Sequence, residues 1–151
     1  MPQSASLALV PLVTTTASLG YAVAEFTFLS PFVRAKSIPP EAIGTFWDYA
    51  LVPAVTPVLA FNGTSTIVGT ILWKRLAGGT FGRSLVGWGV IAAAAHFVFV
   101  PNVAGIVKDM IYKPATAREG QQRWLRLHMI RTLTTDLPAF ALFLAAVYYG
   151  V

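Results

Sequence analysis

The sequence predicts an all-α integral membrane protein, a bundle of four transmembrane helices. Only 11% of its residues are charged and 56% are hydrophobic, whereas a soluble domain has roughly 25% charged residues. The apolar residues also form runs as long as the roughly 20 residues that cross a bilayer as a helix. Four such runs leave only short loops, so we expect residues 1–151 to form a single transmembrane domain.

Prolines, glycines and basic or aromatic residues delimit these spans. We expect the spans at residues 6–32, 44–73, 84–106 and 123–150. The first closes before Arg34 and the Pro39–Pro40 pair, which cannot continue a helix. The second ends at Trp73–Arg75, an aromatic and basic terminus suited to the membrane interface. Residues 1–6 hold no Lys or Arg, so they lack the basic flank of a secretory signal, and we expect the first span to be retained.

The basic residues indicate contact with lipid. The net charge is +5, but Lys and Arg lie in small groups between apolar runs and form no long cluster. Such groups are typical of helix ends that face phospholipid headgroups, so we expect membrane lipids and no nucleic acid as partners. The first and third loops hold more Lys and Arg than the middle loop, which favours a cytosolic location for those two loops.

The composition excludes several kinds of catalytic centre. There is no cysteine and there are two histidines, which excludes thiolate nucleophiles, iron–sulfur clusters and a histidine-rich metal centre. The sequence has no Gly-rich nucleotide motif and no lysine deep in a span. We therefore expect no metal and no cofactor, and chemistry that relies on carboxylates, histidine, arginine and amides.

Several polar residues lie at membrane depth, where a charge costs about 2.5–3.5 kcal/mol on insertion scales. They are Glu25 in the first span, Asp48 and Asn62 in the second, His96 and Asn102 in the third, and Trp124, His128, Arg131, Thr135 and Asp136 in the fourth. Intramembrane charges usually face a cavity or a partner. The sequence therefore predicts a functional pocket inside the bundle.

The fourth span carries the densest polar group. One helical stripe, with intervals of four, three and four residues, consists of Trp124, His128, Arg131 and Thr135. This stripe should point into the bundle because such side chains cannot face acyl chains. Asp136 is expected about 100° round from it, and a proline two residues later loosens the helix.

The other polar residues have structural alternatives. Asp48 and Asn62 fall within about 40° of one helix face and about 21 Å apart, so they could line one elongated pocket, although an interfacial position also suits Asp48. His96, among alanines and phenylalanines, suits a hydrogen bond between helices. Glu25 and Arg131 could form a buried ion pair that fixes the packing.

Two motifs resemble those of a known family. Phe99-Val100-Pro101-Asn102 and Trp124-Leu125-Arg126-Leu127-His128-Met129-Ile130-Arg131 are similar to the anthrone-oxygenase-like family of small membrane proteins, and Phe46-Trp47-Asp48-Tyr49 is compatible with it. His128 stands where that family more often has Asn. The resemblance implies a four-helix protein of fungal polyketide pathways, in the endoplasmic reticulum or another endomembrane. Some members of the family oxidise an anthrone to an anthraquinone without metal or flavin.

Three functions follow from these residues. In an oxygenase, His128 or Asp136 would abstract a proton from a lipophilic phenolic substrate, Arg131 and Asn102 would stabilise the oxyanion, and Trp124 would stack on the substrate's aromatic rings. In an epoxide hydrolase or cyclase, one carboxylate would activate water or a hydroxyl and a second, protonated one would donate to the epoxide oxygen. In a non-catalytic binding or assembly subunit, the polar groups would only join helices.

The expected site is common to both enzymatic functions. The expected catalytic residues are Asp136, Arg131, His128, Glu25 and Asp48, and the expected substrate-binding residues are Trp124, Asn102, Asn62 and Trp47. The substrate is a lipophilic small molecule, polyketide-like by the resemblance. Self-association into a homo-oligomer is left open.

Overall fold

The computed structural model describes residues 3–149 and 151, with side chains for residues 6–149 and 151. Within that part of the chain every regular element is helical and there is no strand, which confirms the all-α prediction. Four helical segments are long and apolar enough to cross a membrane. Three residues lie outside the described part of the chain: Met1, Pro2 and residue 150. The expectation of a retained first span begins at the first two, and the fourth span was predicted to end at residue 150.

The four segments contain seven α-helices. The first segment consists of α1 (Gln3–Leu29) and the short α2 (Pro31–Arg34). The second is α3 (Pro40–Arg75). The third consists of α4 (Phe81–Ala95), a 3₁₀ turn (His96–Phe99) and α5 (Val100–Tyr112). After a 3₁₀ turn (Pro114–Thr116), the fourth consists of α6 (Ala117–Arg131), a π-helical turn (Thr132–Asp136) and α7 (Leu137–Tyr148). That residues 1–151 form one domain stays a prediction.

The segments form an up-and-down bundle. Each segment packs against the next along the chain, and the first also packs against the fourth. Large apolar side chains cover the outside of the bundle, among them Val13, Val23, Phe28, Val52, Leu59, Ile67, Trp88, Ile91, Val98, Leu133 and Leu144. An apolar exterior around helices whose backbone bonds are satisfied internally is what a bilayer requires.

Two apolar cores lie at opposite ends of the bundle. The core near the first and third loops contains Leu29, Ile43, Trp47, Val107, Met110, Ala117, Trp124 and Leu125. The core at the other end contains Ala8, Leu72, Val86, Phe143 and Ala146. Because acyl chains are as apolar as these side chains, close packing holds the cores together more than exclusion from water does. Most of the buried polar residues lie between the two cores, whereas Gln121 lies within the core near the first and third loops.

Two glycines let α3 approach its neighbours closely, one near each end of the helix. A Cβ added to Gly44 would lie 2.6 Å from the Met110 carbonyl oxygen of α5. A Cβ added to Gly69 would lie 2.7 Å from Cγ2 of Val90 in α4. Small residues at such contacts allow backbones in a membrane to pack against each other. Between these glycines α3 bears two prolines, and none of residues 48–61 is buried.

The first and second loops are fixed by specific backbone contacts. The Arg118 guanidinium donates hydrogen bonds to four carbonyl oxygens in the first loop and the end of α2, those of Phe32, Val33, Ala35 and Ile38. These bonds attach the first loop to the start of α6 and satisfy carbonyls that a helix end leaves free.

In the second loop Gly79 has φ 77°, a conformation that favours glycine.

The glycine contacts generate a stability prediction. We expect Gly44→Ala to lower the free energy of unfolding by about 1–3 kcal/mol, since the new Cβ forces the backbones of α3 and α5 apart. Thermal unfolding of the purified variants in one detergent measures the change. The matched control is Gly63→Ala on the same helix, where nothing lies within 4 Å of the added Cβ. This control should be neutral or stabilising, by at most about 1 kcal/mol, because alanine favours helix. Equal thermal midpoints for the two variants would contradict the contact.

Candidate functional site

A buried polar cluster lies between the two cores. It consists of Glu25 on α1, His96 in the 3₁₀ turn, and His128, Arg131 and Asp136 on the fourth segment. The two histidines and Asp136 are 2% exposed and Arg131 is 6% exposed. His96 and Arg131 fall at the middle of their segments, so the cluster lies near the depth at which a charge in a bilayer is most costly.

A π-helical turn places Asp136 beside Arg131. The backbone N–H of Leu137 donates to the carbonyl of Thr132, five residues earlier, and Pro138 has no N–H with which to continue the regular pattern. The wider turn rotates Asp136 towards Arg131, and its Oδ2 lies 4.0 Å from the Arg131 Nε. The expected angle of about 100° between Asp136 and the stripe assumed a regular helix, whereas residues 132–136 form a π turn. The stripe itself faces the interior, as predicted, because its four residues are all buried.

Threonine hydroxyls near the π turn donate to the backbone. Thr134 Oγ1 donates to the Ile130 carbonyl and Thr135 Oγ1 donates to the Arg131 carbonyl, both at 2.7 Å. These bonds satisfy the threonine hydroxyls within the helix itself, so neither hydroxyl needs a partner from outside the protein at this depth.

A second proline shapes the turn that carries His96. Pro101 cannot donate to the carbonyl of Phe97, and the N–H of Val100 donates to that carbonyl instead, which gives a 3₁₀ turn. His96 Nδ1 lies 2.7 Å from Asp136 Oδ1. The expected hydrogen bond between helices is thus present. His96 nevertheless belongs to the candidate site, which the sequence did not indicate, because its Nε2 has no hydrogen-bond partner among the described residues and its side chain lines a cavity.

His128 is held at both ring nitrogens. Its Nε2 lies 2.9 Å from the Ala22 carbonyl, so Nε2 carries the hydrogen and donates it. Its Nδ1 therefore accepts from the Arg131 guanidinium, at 2.7 Å. The ring also stacks on Trp124, with centroids 4.6 Å apart and 10° between planes. A neutral imidazole engaged on both sides cannot take a further proton without losing a bond, so this geometry disfavours the expected role of His128 as base.

Arg131 connects the two acids of the cluster. Its Nη2 lies 3.9 Å from Glu25 Oε2, which is the ion pair that the sequence suggested between these residues. Its Nε lies 4.0 Å from Asp136 Oδ2. The guanidinium therefore lies between a carboxyl group of α1 and one of its own segment. A buried group of this kind is favourable only when charges and hydrogen bonds are closely matched.

A cavity of about 120 Å³ adjoins this cluster. Glu25, His96 and Arg131 form its polar wall, and Trp47 and Trp124 also line it. The α3 wall consists of Leu51, Ala54, Val55, Val58 and Leu59. The α5 wall consists of Val100, Val103, Ala104 and Val107. A mostly aliphatic cavity with a few convergent polar groups has the composition of a small-molecule site.

Three residues expected in the site lie elsewhere. Asp48 and Asn102 are exposed on the outside of the bundle, because Trp47 occupies the inward position on α3 and the lining residues of α5 occupy the face opposite Asn102. Asn62 is buried, but it donates to Ser18 Oγ at 3.0 Å and joins α3 to α1. The expectation that Asp48 and Asn62 line one pocket is therefore wrong.

The tryptophans of the site are packed against protein. Trp47 Nε1 donates to Gln121 Oε1 at 2.6 Å, and the rings of Trp47 and Trp124 are 5.2 Å apart and tilted. One face of Trp124 is covered by His128, which limits the ring stacking expected of it. Gln121 is fully buried; its polar contact with Trp47 crosses from α6 to α3, and no spacing in the sequence indicated it.

Unpaired polar atoms are concentrated at the cluster. Among the residues that the structure describes, five buried side-chain atoms lack a hydrogen-bond partner, and four of them lie in or beside the cluster: His96 Nε2, Arg131 Nε, Thr132 Oγ1 and Asp136 Oδ2. Each such atom costs about 1–3 kcal/mol, so their concentration in and beside one cluster indicates a functional site. In the described part of the chain, no three His, Cys, Asp or Glu side chains are grouped so as to hold a metal ion.

The contact between His96 and Asp136 generates a second prediction. In a double-mutant cycle of His96→Ala and Asp136→Ala, we expect a coupling free energy of about 1.5–3 kcal/mol, the range for a hydrogen bond to a charged group. Unfolding of the variants in mixed micelles measures it. The control cycle uses Lys113 and Asp109, whose ion pair is 69% and 43% exposed and should show no measurable coupling. Additive effects at His96 and Asp136 would show that the two groups do not interact.

Comparison with known proteins shows a similarity to a fungal biosynthesis cluster protein. The chain is 26% identical over 144 residues to the oxaleimides biosynthesis cluster protein N of Penicillium oxalicum, covering 87% of this chain and 82% of the relative. The protein of the same name in Penicillium oxalicum strain 114-2 matches to the same extent. No family model and no solved structure matches. The similarity suggests a protein of a secondary-metabolism gene cluster, whereas membership of the anthrone-oxygenase-like family stays a prediction.

Proposed function

We propose that this chain is a membrane-embedded acid–base enzyme of secondary metabolism that acts on a lipophilic, polyketide-like substrate. The observation that carries the proposal is His96, a buried imidazole bound at Nδ1 by Asp136 and unpaired at Nε2 among the described residues, on the wall of an aliphatic cavity. The similarity to a fungal biosynthesis cluster protein supports the metabolic context. The proposal includes a location in the endoplasmic reticulum or another endomembrane.

His96 is the proton-transferring residue in this proposal. When Asp136 is ionised it accepts the Nδ1 hydrogen of His96, so the lone pair of the imidazole resides on Nε2. Asp136 then fixes the ring orientation and stabilises the imidazolium that forms on proton transfer, as the carboxylate does in a catalytic triad. This assigns to His96 the role of base that the sequence suggested for His128 or Asp136.

Arg131 stabilises the negative charge that appears on the substrate. Its guanidinium lines the same cavity and is held between Glu25 and Asp136 at 3.9 and 4.0 Å. A preorganised cation in a site of low dielectric stabilises an enolate or phenolate oxygen more strongly than water does. Glu25 and His128 keep this cation in position.

With dioxygen as co-reactant, the reaction converts a CH₂ group into a ketone. One proton moves from the acidic carbon to His96 Nε2, and the remaining electron pair forms a C–O bond with dioxygen. The resulting peroxide anion takes the proton back from His96, and the hydroperoxide then loses water, including the second hydrogen of that carbon, so CH₂ and O₂ become C=O and H₂O. This is the reaction that the anthrone-oxygenase resemblance implies.

A second candidate reaction is the opening of an epoxide, which the position of Glu25 favours. Glu25 lines the same cavity as His96, so two groups that exchange protons face one volume. One would take a proton from water as its oxygen attacks a ring carbon, and the other would donate a proton to the departing epoxide oxygen, giving a diol. With an internal hydroxyl in place of water, the product would be a cyclic ether.

Labelled co-reactants distinguish these reactions. The purified chain is incubated in detergent with lipophilic anthrones and with polyene epoxides, once under labelled oxygen gas and once in labelled water. We expect product that carries one label. Label from the gas supports the oxygenase and label from water supports the hydrolase, whereas a converted product without label indicates cyclisation.

Substitution of His96 and of Asp136 tests the assigned roles. We expect His96→Gln and Asp136→Asn to lower turnover by about 10²–10⁴-fold, the usual contribution of general acid–base catalysis, while the helical circular dichroism is retained. Asp48→Asn, an exposed position outside the cavity, is the control and should keep full turnover. Undiminished turnover in His96→Gln would contradict the proposal. Loss of folding yield in parallel with turnover would favour the binding or assembly subunit, in which these groups only join helices.

A further inference from the structure

The cavity has a polar end and an open aliphatic side. Its polar wall is formed by the cluster, and the rest is lined by aliphatic side chains of α3 and α5. Three of these, Val55, Leu59 and Val100, are 38%, 53% and 46% exposed. Because residues that line the cavity are also exposed on the outside of the bundle, the cavity opens between α3 and α5.

The opening results from the shape of α3. This helix touches α5 at Gly44 and α4 at Gly69, and between these contacts it bears Pro53 and Pro57. Prolines inside a helix remove hydrogen bonds and bend it. None of residues 48–61 is buried, which corresponds to about 21 Å of helix at 1.5 Å per residue. The middle of α3 is therefore packed less closely than its ends, although Tyr21 of α1 still donates to the Ala54 carbonyl at 3.2 Å.

The opening faces the hydrocarbon core of the bilayer. Val55 and Leu59 lie within about 4 Å of the midpoint of their segment, and Val100 lies within about 6 Å of its own, at 1.5 Å per residue. The hydrocarbon core extends about 15 Å on either side of that midpoint. A molecule that enters here comes from the acyl chains and not from water.

We propose that this opening is a lateral substrate entrance, and that the cavity binds a membrane-dissolved amphiphile with an aliphatic chain. The chain lies between α3 and α5, and the reacting polar group meets His96 Nε2, which is unpaired among the described residues and belongs to a residue of the polar wall. That last contact rests on the proposed function. The lining excludes a charged chain, because the polar groups lie only at the inner end.

Quenching of tryptophan fluorescence tests this entrance without any need for turnover. Two of the four tryptophans, Trp47 and Trp124, line the cavity, so Trp73→Phe and Trp88→Phe in the full chain leave only cavity emission. The chain is placed in nanodiscs of unlabelled phospholipid and titrated with a fatty acid brominated at the middle of its chain. We expect saturable quenching.

A matched pair of substitutions locates the binding. Val55→Phe narrows the opening, and we expect it to weaken the apparent affinity roughly tenfold because the cavity is overfilled. Val52→Phe lies on the same helix, is 74% exposed and does not line the cavity, so the affinity should stay within about twofold. Ala104→Leu on the opposite wall should act like Val55→Phe, which guards against a folding defect confined to α3.

Three outcomes would overturn the proposal: quenching that does not saturate, equal affinities for Val55→Phe and Val52→Phe, or equally saturable quenching by a phospholipid brominated in the same way. The third would identify a structural lipid as the occupant. The entrance and the proposed function fail separately. Full turnover by His96→Gln would remove the proposed function, whereas a tenfold weaker affinity of Val55→Phe would still support the entrance.

Discussion

The Arg131 guanidinium, buried at the middle of the fourth segment, is the constraint on which the arrangement of the bundle depends. A lone cation at that depth is unstable, so acids must be brought to it. Glu25 comes from α1, and Asp136 comes from the same segment as Arg131. Asp136 in turn holds His96 of the third segment. Three of the four segments are thereby joined at one depth.

The remaining segment, α3, has no charged member in this network. It contributes Trp47 and an aliphatic wall, and its close contacts are made by glycines near its ends. The middle of this helix makes no ionic contact with the polar cluster, and its side chains line the cavity instead. Because α3 contributes no charged residue, the polar cluster has members on three segments only, and the cavity lies on the side of the fourth. The polar groups and the apolar cavity therefore meet at one boundary.

The fold could be predicted from the sequence because it depends on long apolar runs, and the buried stripe from Trp124 to Thr135 depends on regular helical spacing. The site could be predicted only in part, because its key contact arises where the helix is irregular. Pro138 and Pro101 are visible in the sequence, but the π turn that brings Asp136 inward and the 3₁₀ turn that carries His96 depend on the neighbouring segments. Asp48 and Asn102 were wrongly expected inside because polarity at membrane depth does not specify which side of a helix faces the bundle.

The ion pair between Glu25 and Arg131 also has a consequence for biosynthesis. The acid is synthesised about a hundred residues before its cation, so the first helix enters the membrane before the guanidinium that pairs with its carboxyl group. The first loop is likewise synthesised before Arg118, which later donates hydrogen bonds to its carbonyls. Helix insertion and helix association must then be separate events. The nascent chain remains incomplete, and exposed to quality control, until its last segment leaves the ribosome.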